Sequence, residues 1–351
     1  MDKGFWKTVF QIAVTYIGTV VGAGFASGQE IWQFFTKNGS SAVWGILLTV
    51  ILFFVFGVYA LHLGPRYRVN SFTDLTSVLL GQTGGMIING LLLITIFGLN
   101  IAMIAGGGAL IQQIAGWPLY ISTLVCVWAA LLLLYFGIQG IIVANSFIVP
   151  FMLFWVLVAS LYNLLGIHSL RWIAGLTHPH QHLMSWQALL AFSYLGFNVG
   201  LSLPVLVPLG SLHPNAGVRW TGSFFGALGL GFLMLLIHLL LVNHSHMLEG
   251  EIPMALIAAA MPPFFRGGIL IAIGAEIYST LIANAFGLAS ELASITKRPF
   301  FTWLTISLLV AYGFSQIGFS RIVGWFYPGF GVFGFFILIM FMVQEYRSGN
   351  V

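Results

Sequence analysis

A carboxylate in the middle of an apolar run is the residue that most plainly asks for chemistry. Glu276 stands in Gly274-Ala275-Glu276-Ile277-Tyr278-Ser279-Thr280, with long hydrophobic sequence on both sides. An ionisable group at bilayer depth is costly, so it faces a protein interior or a wet cavity and is an ion- or proton-site candidate by default. Ser279 and Thr280 follow within one helical turn. Two hydroxyls there either bond back to helix carbonyls or offer oxygens to a ligand. Asn100 is a polar residue in another apolar run, either bonded to a neighbouring helix or facing the same cavity.

These groups need elements to position them. The stretch Tyr16-Ile17-Gly18-Thr19-Val20-Val21-Gly22-Ala23-Gly24-Phe25-Ala26-Ser27-Gly28-Gln29-Glu30 holds four glycines inside a run of spanning length. Such a helix is easy to interrupt, and an interruption frees backbone groups that survive in hydrocarbon only beside a cavity or within protein. Tyr194-Leu195-Gly196-Phe197-Asn198-Val199-Gly200 repeats its Tyr, Gly, Val and Gly, and Pro204 and Pro208 stand where the first copy has Ala26 and Glu30. Proline removes a donor and clashes with the preceding turn, so a second break is expected at 196–200. Paired interruptions in two halves point to a transporter binding site.

Composition sets the medium. Hydrophobic residues make up 59% of the 351 and charged residues 6%. Soluble domains carry about 25% charged residues, so the chain reads as a multi-pass membrane protein with the lipid bilayer as its partner. The Lys and Arg residues are scattered among loops, which excludes a nucleic-acid surface. Cys126 is the one cysteine and forms no intrachain disulfide. Phe5 to Val21 leads into the glycine run rather than to a cleavage site, so no cleavable leader is expected. His178-Pro179-His180-Gln181-His182 lacks the cysteines or second histidine pair of a zinc site. No phosphate loop, nucleophile elbow or HExxH occurs, so an enzyme is not expected, nor a cofactor.

The apolar runs give ten spans, near 6–36, 41–63, 84–115, 118–136, 140–165, 185–210, 216–242, 266–296, 300–317 and 321–344. Short helices are expected at 71–80, capped by Ser71, and at 251–260. A shift of 178 residues carries Tyr16 onto Tyr194, Gly22 onto Gly200 and Pro150 onto Pro328. The expected organisation is a first five-helix repeat over 1–165, an extracellular loop over 166–184, and a second repeat with a short tail over 185–351, together one transporter domain. Five spans per half invert the second half. With both termini in the cytoplasm, Lys and Arg favour the inner side by two to one, as inner loops should. The expected location is the cytoplasmic membrane.

Val21-Gly22-Ala23-Gly24-Phe25-Ala26-Ser27-Gly28-Gln29-Glu30 resembles the first-span signature of YkvI-type bacterial membrane proteins of the amino acid–polyamine–organocation superfamily. The resemblance implies an all-α integral membrane protein of LeuT-like fold, ten helices in a 5+5 inverted repeat with helices 1 and 6 broken, an arrangement for which LeuT is the standard example. It further implies one sodium site, with carbonyls of Gly18, Val21 and Glu276 and the hydroxyls of Ser279 and Thr280. Phe25 stands where some relatives bind a second ion; some proton-coupled relatives place a lysine on the fifth span, where this chain has Asn145 and Ser146 but no lysine, which favours sodium. The implied substrate lining is Ala23, Gly24, Phe25, Asn100, Phe197, Asn198 and Gly200, with free N–H groups near Phe25 favouring a carboxylate. Glu291 is expected to pair with Lys3 or Lys7 as an inner gate, and Glu30 with Arg321 as an outer one.

The favoured function is therefore a secondary transporter for an amino acid or similar zwitterion, coupled to sodium. The alternatives are a proton-coupled carrier using Glu276 and a non-transporting ligand-binding sensor.

Overall fold

The computed structural model describes residues 3–135, 139–166, 181–244 and 250–347. Within them the chain is helical from end to end. The first crossing segment is assembled from pieces: α1 (Lys3–Val20), α2 (Ala23–Ala26) and α3 (Gln29–Phe34), followed by a 3-10 turn, Thr36–Ser41. Then come α4 (Ala42–Tyr67), α5 (Phe72–Ala115), α6 (Leu119–Tyr135) and α7 (Gln139–Gly166). The second half supplies α8 (Gln181–Leu212), α9 (Ala216–Asn243), α10 (Pro253–Ala259), α11 (Pro263–Thr296), α12 (Phe300–Ser315) and α13 (Phe319–Arg347). Among the described residues six helices are long and apolar enough to cross a membrane: α4, α5, α8, α9, α11 and α13. Helices α6 and α12 are shorter apolar helices.

Local chemistry sets the boundaries. Ser71 caps α5, its Oγ accepting from the Asp74 N–H at 3.0 Å. Gly81 then leaves helical geometry at φ 72, which separates the short helix expected at 71–80 from the spanning part. Gly116 ends α5 in the left-handed region, its N–H donating to the Gln112 carbonyl, as C-terminal glycines do. Asn215 caps α9 through Oδ1 and the Gly217 N–H at 2.9 Å. Pro253 and Pro263 open α10 and α11 at the first helical position, where a missing N–H costs nothing.

Packing follows a two-fold plan. Pairing α1, α4, α5, α6 and α7 with α8, α9, α11, α12 and α13 matches the contacts: α4 packs on α8 as α9 packs on α1, α13 on α5 as α7 on α11, α6 on α5 as α12 on α11. Buried residues from both halves form one core.

The expected break at 196–200 is not there. α8 runs as one helix from Gln181 to Leu212 with Pro204 and Pro208 inside it. Its glycines serve close approach instead. A Cβ on Gly196 would strike the Gly331 carbonyl, and one on Gly334 the Gly196 carbonyl. Small residues let backbones meet where lipid supplies no hydrophobic drive. The same device joins α4 to α8, where Gly64 sits on the Val207 carbonyl and Gly210 on the Leu61 carbonyl.

Candidate functional site

The break in the first segment is real and falls at Val21–Gly22. The last ladder bond of α1 runs from the Val21 N–H to the Ile17 carbonyl at 2.8 Å, and the first of α2 from the Ala26 N–H to the Gly22 carbonyl at 2.9 Å. Gly22 between them is extended, φ −140 and ψ −168. Among the described residues no backbone N–H bonds to the carbonyls of residues 18–21. Four acceptors are thus left at the end of α1, the usual count for a helix terminus, but here inside the helix bundle rather than at its surface.

A second interruption follows at once. Gly28 takes φ 75, a conformation open to glycine and strained for other residues. Ser27 Oγ donates to the Gly24 carbonyl at 2.9 Å and accepts from the Gln29 N–H at 3.3 Å. The Ser27 carbonyl accepts from the Met254 N–H at 3.0 Å, tying the bend to α10. This bend turns α3 so that Glu30 points inward.

A cavity of about 350 Å³ opens beside the break. α1 and α2 contribute Gly18 to Gly24, α8 contributes Phe197, Asn198, Leu201 and Pro204, and α11 contributes Glu276, Ser279, Thr280, Ala283 and Asn284. Glu30 and Tyr327 complete the polar wall, and Leu92, Ile96, Leu99 and Met103 of α5 the apolar one. Pro204 and Ala283 are exposed, so the mouth lies toward the C-terminal ends of α8 and α11. On the α3 side aromatic rings close it. Phe197 stacks on Tyr327 with centroids 4.3 Å apart, and Tyr194 is wedged among Phe34, Phe35 and Phe53.

All five residues of the implied cation set, Gly18, Val21, Glu276, Ser279 and Thr280, line this cavity. Ser279 Oγ donates to the Glu276 carbonyl at 3.1 Å, which leaves the lone pairs of that oxygen free. Glu276 is 3% exposed, and its Oε2 has no partner. Of the implied substrate lining, Ala23, Gly24, Phe197 and Asn198 reach the cavity. Phe25 is buried in the core instead. Asn100 is 1% exposed with both amide atoms unpartnered, but it lies outside the lining. Gly200 turns to α13, where a Cβ would lie 3.5 Å from the Gly334 Cα.

Of the two expected gates, each made in one state and broken in the other, the outer pair is not formed here. Arg321 is exposed, whereas Glu30 is buried in the cavity wall, its carboxylate accepting from the Tyr194 hydroxyl at 3.1 Å. The link between α3 and α13 is one turn away: Gln33 Nε2 donates to Ser320 Oγ at 3.2 Å, and the Ser320 N–H donates to Glu251 Oε2 at 2.6 Å. Lys7 and Glu291 are both exposed and make no ion pair, and the Lys3 side chain lies outside the described residues. A pair the sequence did not flag joins α4 to α13, Arg66 Nε to Glu345 Oε1 at 3.4 Å, with the Tyr59 hydroxyl donating to Glu345 Oε2 at 2.9 Å. His178 and His180 lie outside the described residues, as does the His182 side chain; among the described residues no group of three or more His, Cys, Asp or Glu side chains is placed to hold a metal.

A helix bundle of two matched halves, unwound beside a central cavity, is the LeuT-like transporter architecture. Solved structures agree. The Eremococcus coleocola manganese transporter, in complex with an aromatic bis-isothiourea compound, superposes with a TM-score of 0.65 over 98% of this chain and 80% of its own, at 14% identity. MHP1, a nucleobase-cation-symport-1 family transporter, gives 0.55 over 91% of this chain and 74% of its own, at 17% identity. By sequence the chain belongs to the YkvI family of membrane proteins: it is 30% identical over 322 residues to the uncharacterized membrane protein YkvI of Bacillus subtilis (strain 168), covering 92% of this chain and 91% of the relative. The uncharacterized protein YyaD of the same strain is 27% identical over 351 residues, 98% of either chain. No protein-family model matches.

Proposed function

We propose that the chain is a secondary transporter that moves a small amino acid-like solute by alternating access, coupled to sodium. The observation that carries this reading is the convergence of unbonded carbonyls at residues 18–21 with the Ser279 and Thr280 hydroxyls on one cavity. Hard oxygen donors of this kind suit a small hard cation. Solute movement with a cation fits the name of one structural neighbour, a nucleobase–cation symporter, while the other is named for manganese; the shared fold leaves the solute to this chain's own lining. Residues 1–165 and 185–351 act in this reading as two inverted repeats. The mouth at Pro204 and Ala283 is then the cytoplasmic one.

Proton coupling is the second reading, favoured by the unpartnered Glu276 Oε2 in the same wall. Mutation separates the two. Ser279→Ala with Thr280→Ala removes two cation ligands and leaves the carboxyl, and Glu276→Gln does the reverse. In purified protein the sodium-dependent rise in melting temperature, which reports binding to the folded state, is expected to vanish in the double alanine variant and to persist in part in Glu276→Gln. A double alanine variant that keeps its sodium response, beside a Gln variant that loses its uptake response to a pH gradient, would replace sodium by the proton.

A further inference from the structure

Two carboxyl groups, Glu30 and Glu276, face one cavity whose lining holds no lysine, arginine or histidine. The two are placed differently. Glu276 stands on α11 with the cation-type oxygens around it. Glu30 leans across the break from α3, and its Oε1 occupies the space that a Cβ on Gly24 would need. Only glycine at 24 lets the carboxyl lie over the unwound backbone. The Tyr194 hydroxyl anchors the other oxygen, Oε2, at 3.1 Å.

The region expected to attract a substrate carboxylate thus already carries one. A second anion there finds no counter-charge in the lining, whereas a cation supplies the counter-charge that holds a buried carboxyl ionised. The unpartnered Tyr327 hydroxyl and Glu276 Oε2, both more than nine-tenths buried, also accept hydrogen bonds from a donor-rich guest. Beside them Phe197 and Tyr327 offer ring surface, which attracts ammonium groups, and Leu92, Ile96, Leu99 and Met103 offer an apolar wall for carbon chains. The apolar wall has no use for a bare metal ion and favours a cation that carries carbon.

We infer that the cavity recognises its solute through a protonated amine held by Glu30, and that a substrate carboxylate is dispensable. This rests on the transporter reading only for the consequence of binding, not for binding itself.

The test uses the full-length protein in detergent or nanodiscs at fixed sodium. Melting temperature is followed against leucine, lysine and 1,5-diaminopentane, and against two amine-blocked or amine-free probes, N-acetylleucine and 4-methylpentanoate. At least one amine-bearing probe is expected to raise it and neither of the others. Glu30→Gln is expected to weaken that amine on the order of 10- to 100-fold, the loss of a charge-assisted hydrogen bond, with the sodium response intact. Tyr194→Phe, which keeps Glu30 and nearly all the packing, is expected to weaken it several-fold and serves if Glu30→Gln does not fold. The inference is overturned by no response to any amine, by an equal response to 4-methylpentanoate, or by full retention in Glu30→Gln with loss in Glu276→Gln. An amine response in protein that shows no uptake in proteoliposomes supports this inference and refutes the transport reading instead.

Discussion

Gly28 shows how much one residue decides. Its φ of 75 bends the chain between α2 and α3, and its missing side chain leaves room for Met254 on α10. The bend presents Glu30 to the cavity rather than to the α13 end. Gly28→Ala adds backbone strain of about 1–3 kcal/mol and presses on Met254 Cγ. The expected outcome is a clear drop in melting temperature together with loss of the amine response. Gly24 acts through space rather than conformation: any larger side chain displaces the Glu30 carboxylate. Residue identity was legible in the sequence here, since a glycine-rich run in an apolar segment announces a break. The position of Glu30 was not. In one straight helix Glu30 falls far along from Gly24, toward the end where Arg321 lies. Two successive bends, one of them left-handed, fold it back over the break.

At the scale of elements, the two glycine-rich runs parted ways because glycine has two uses in a membrane helix. Beside the 18–22 stretch no neighbouring backbone comes within 4 Å of where a Cβ would stand on Gly18 or Gly22. Those positions are open, so no neighbouring backbone props the segment where it unwinds at Val21–Gly22. Around Gly196 the α13 backbone fills that space, so the helix holds and α13 docks. Sequence repeats Tyr, Gly, Val and Gly in both places, but what lies opposite each glycine is a tertiary fact. Helix positions themselves were well indicated, since hydrophobic length and the Ser71 cap mark ends by local chemistry. Two substitutions test the packing account. Gly196→Ala drives a methyl into the Gly331 carbonyl and is expected to lower stability by about 1–3 kcal/mol, the usual cost of overpacking. Gly200→Ala meets only ordinary contact at 3.5 Å from Gly334 and gains up to about 1 kcal/mol of helix propensity. It is expected to keep both fold and uptake. A folded Gly200→Ala protein without uptake would return Gly200 to the substrate site.

The whole molecule is closed on one side of the break and open on the other. On the α3 side the Phe197–Tyr327 stack, the Tyr194 cluster and the Gln33–Ser320–Glu251 chain join both halves. On the other side the cavity opens between Pro204 and Ala283, both exposed. An asymmetry of this kind fits one of two alternating states with its mouth at Pro204 and Ala283. The sidedness is measurable because the natural Cys126 is buried and gives little background labelling. Trp117→Cys and Arg298→Cys place thiols at exposed positions on opposite ends of the bundle in the ten-span reading. Trp117→Cys is expected to react with an impermeant maleimide added outside intact cells, and Arg298→Cys only after the membrane is opened. Ala283→Cys at the mouth should behave as Arg298→Cys does, and an amine that occupies the cavity should slow its labelling. Reaction of Ala283→Cys from outside, with Trp117→Cys protected, would invert the topology. Unchanged labelling in the presence of a bound amine would separate that amine from this cavity.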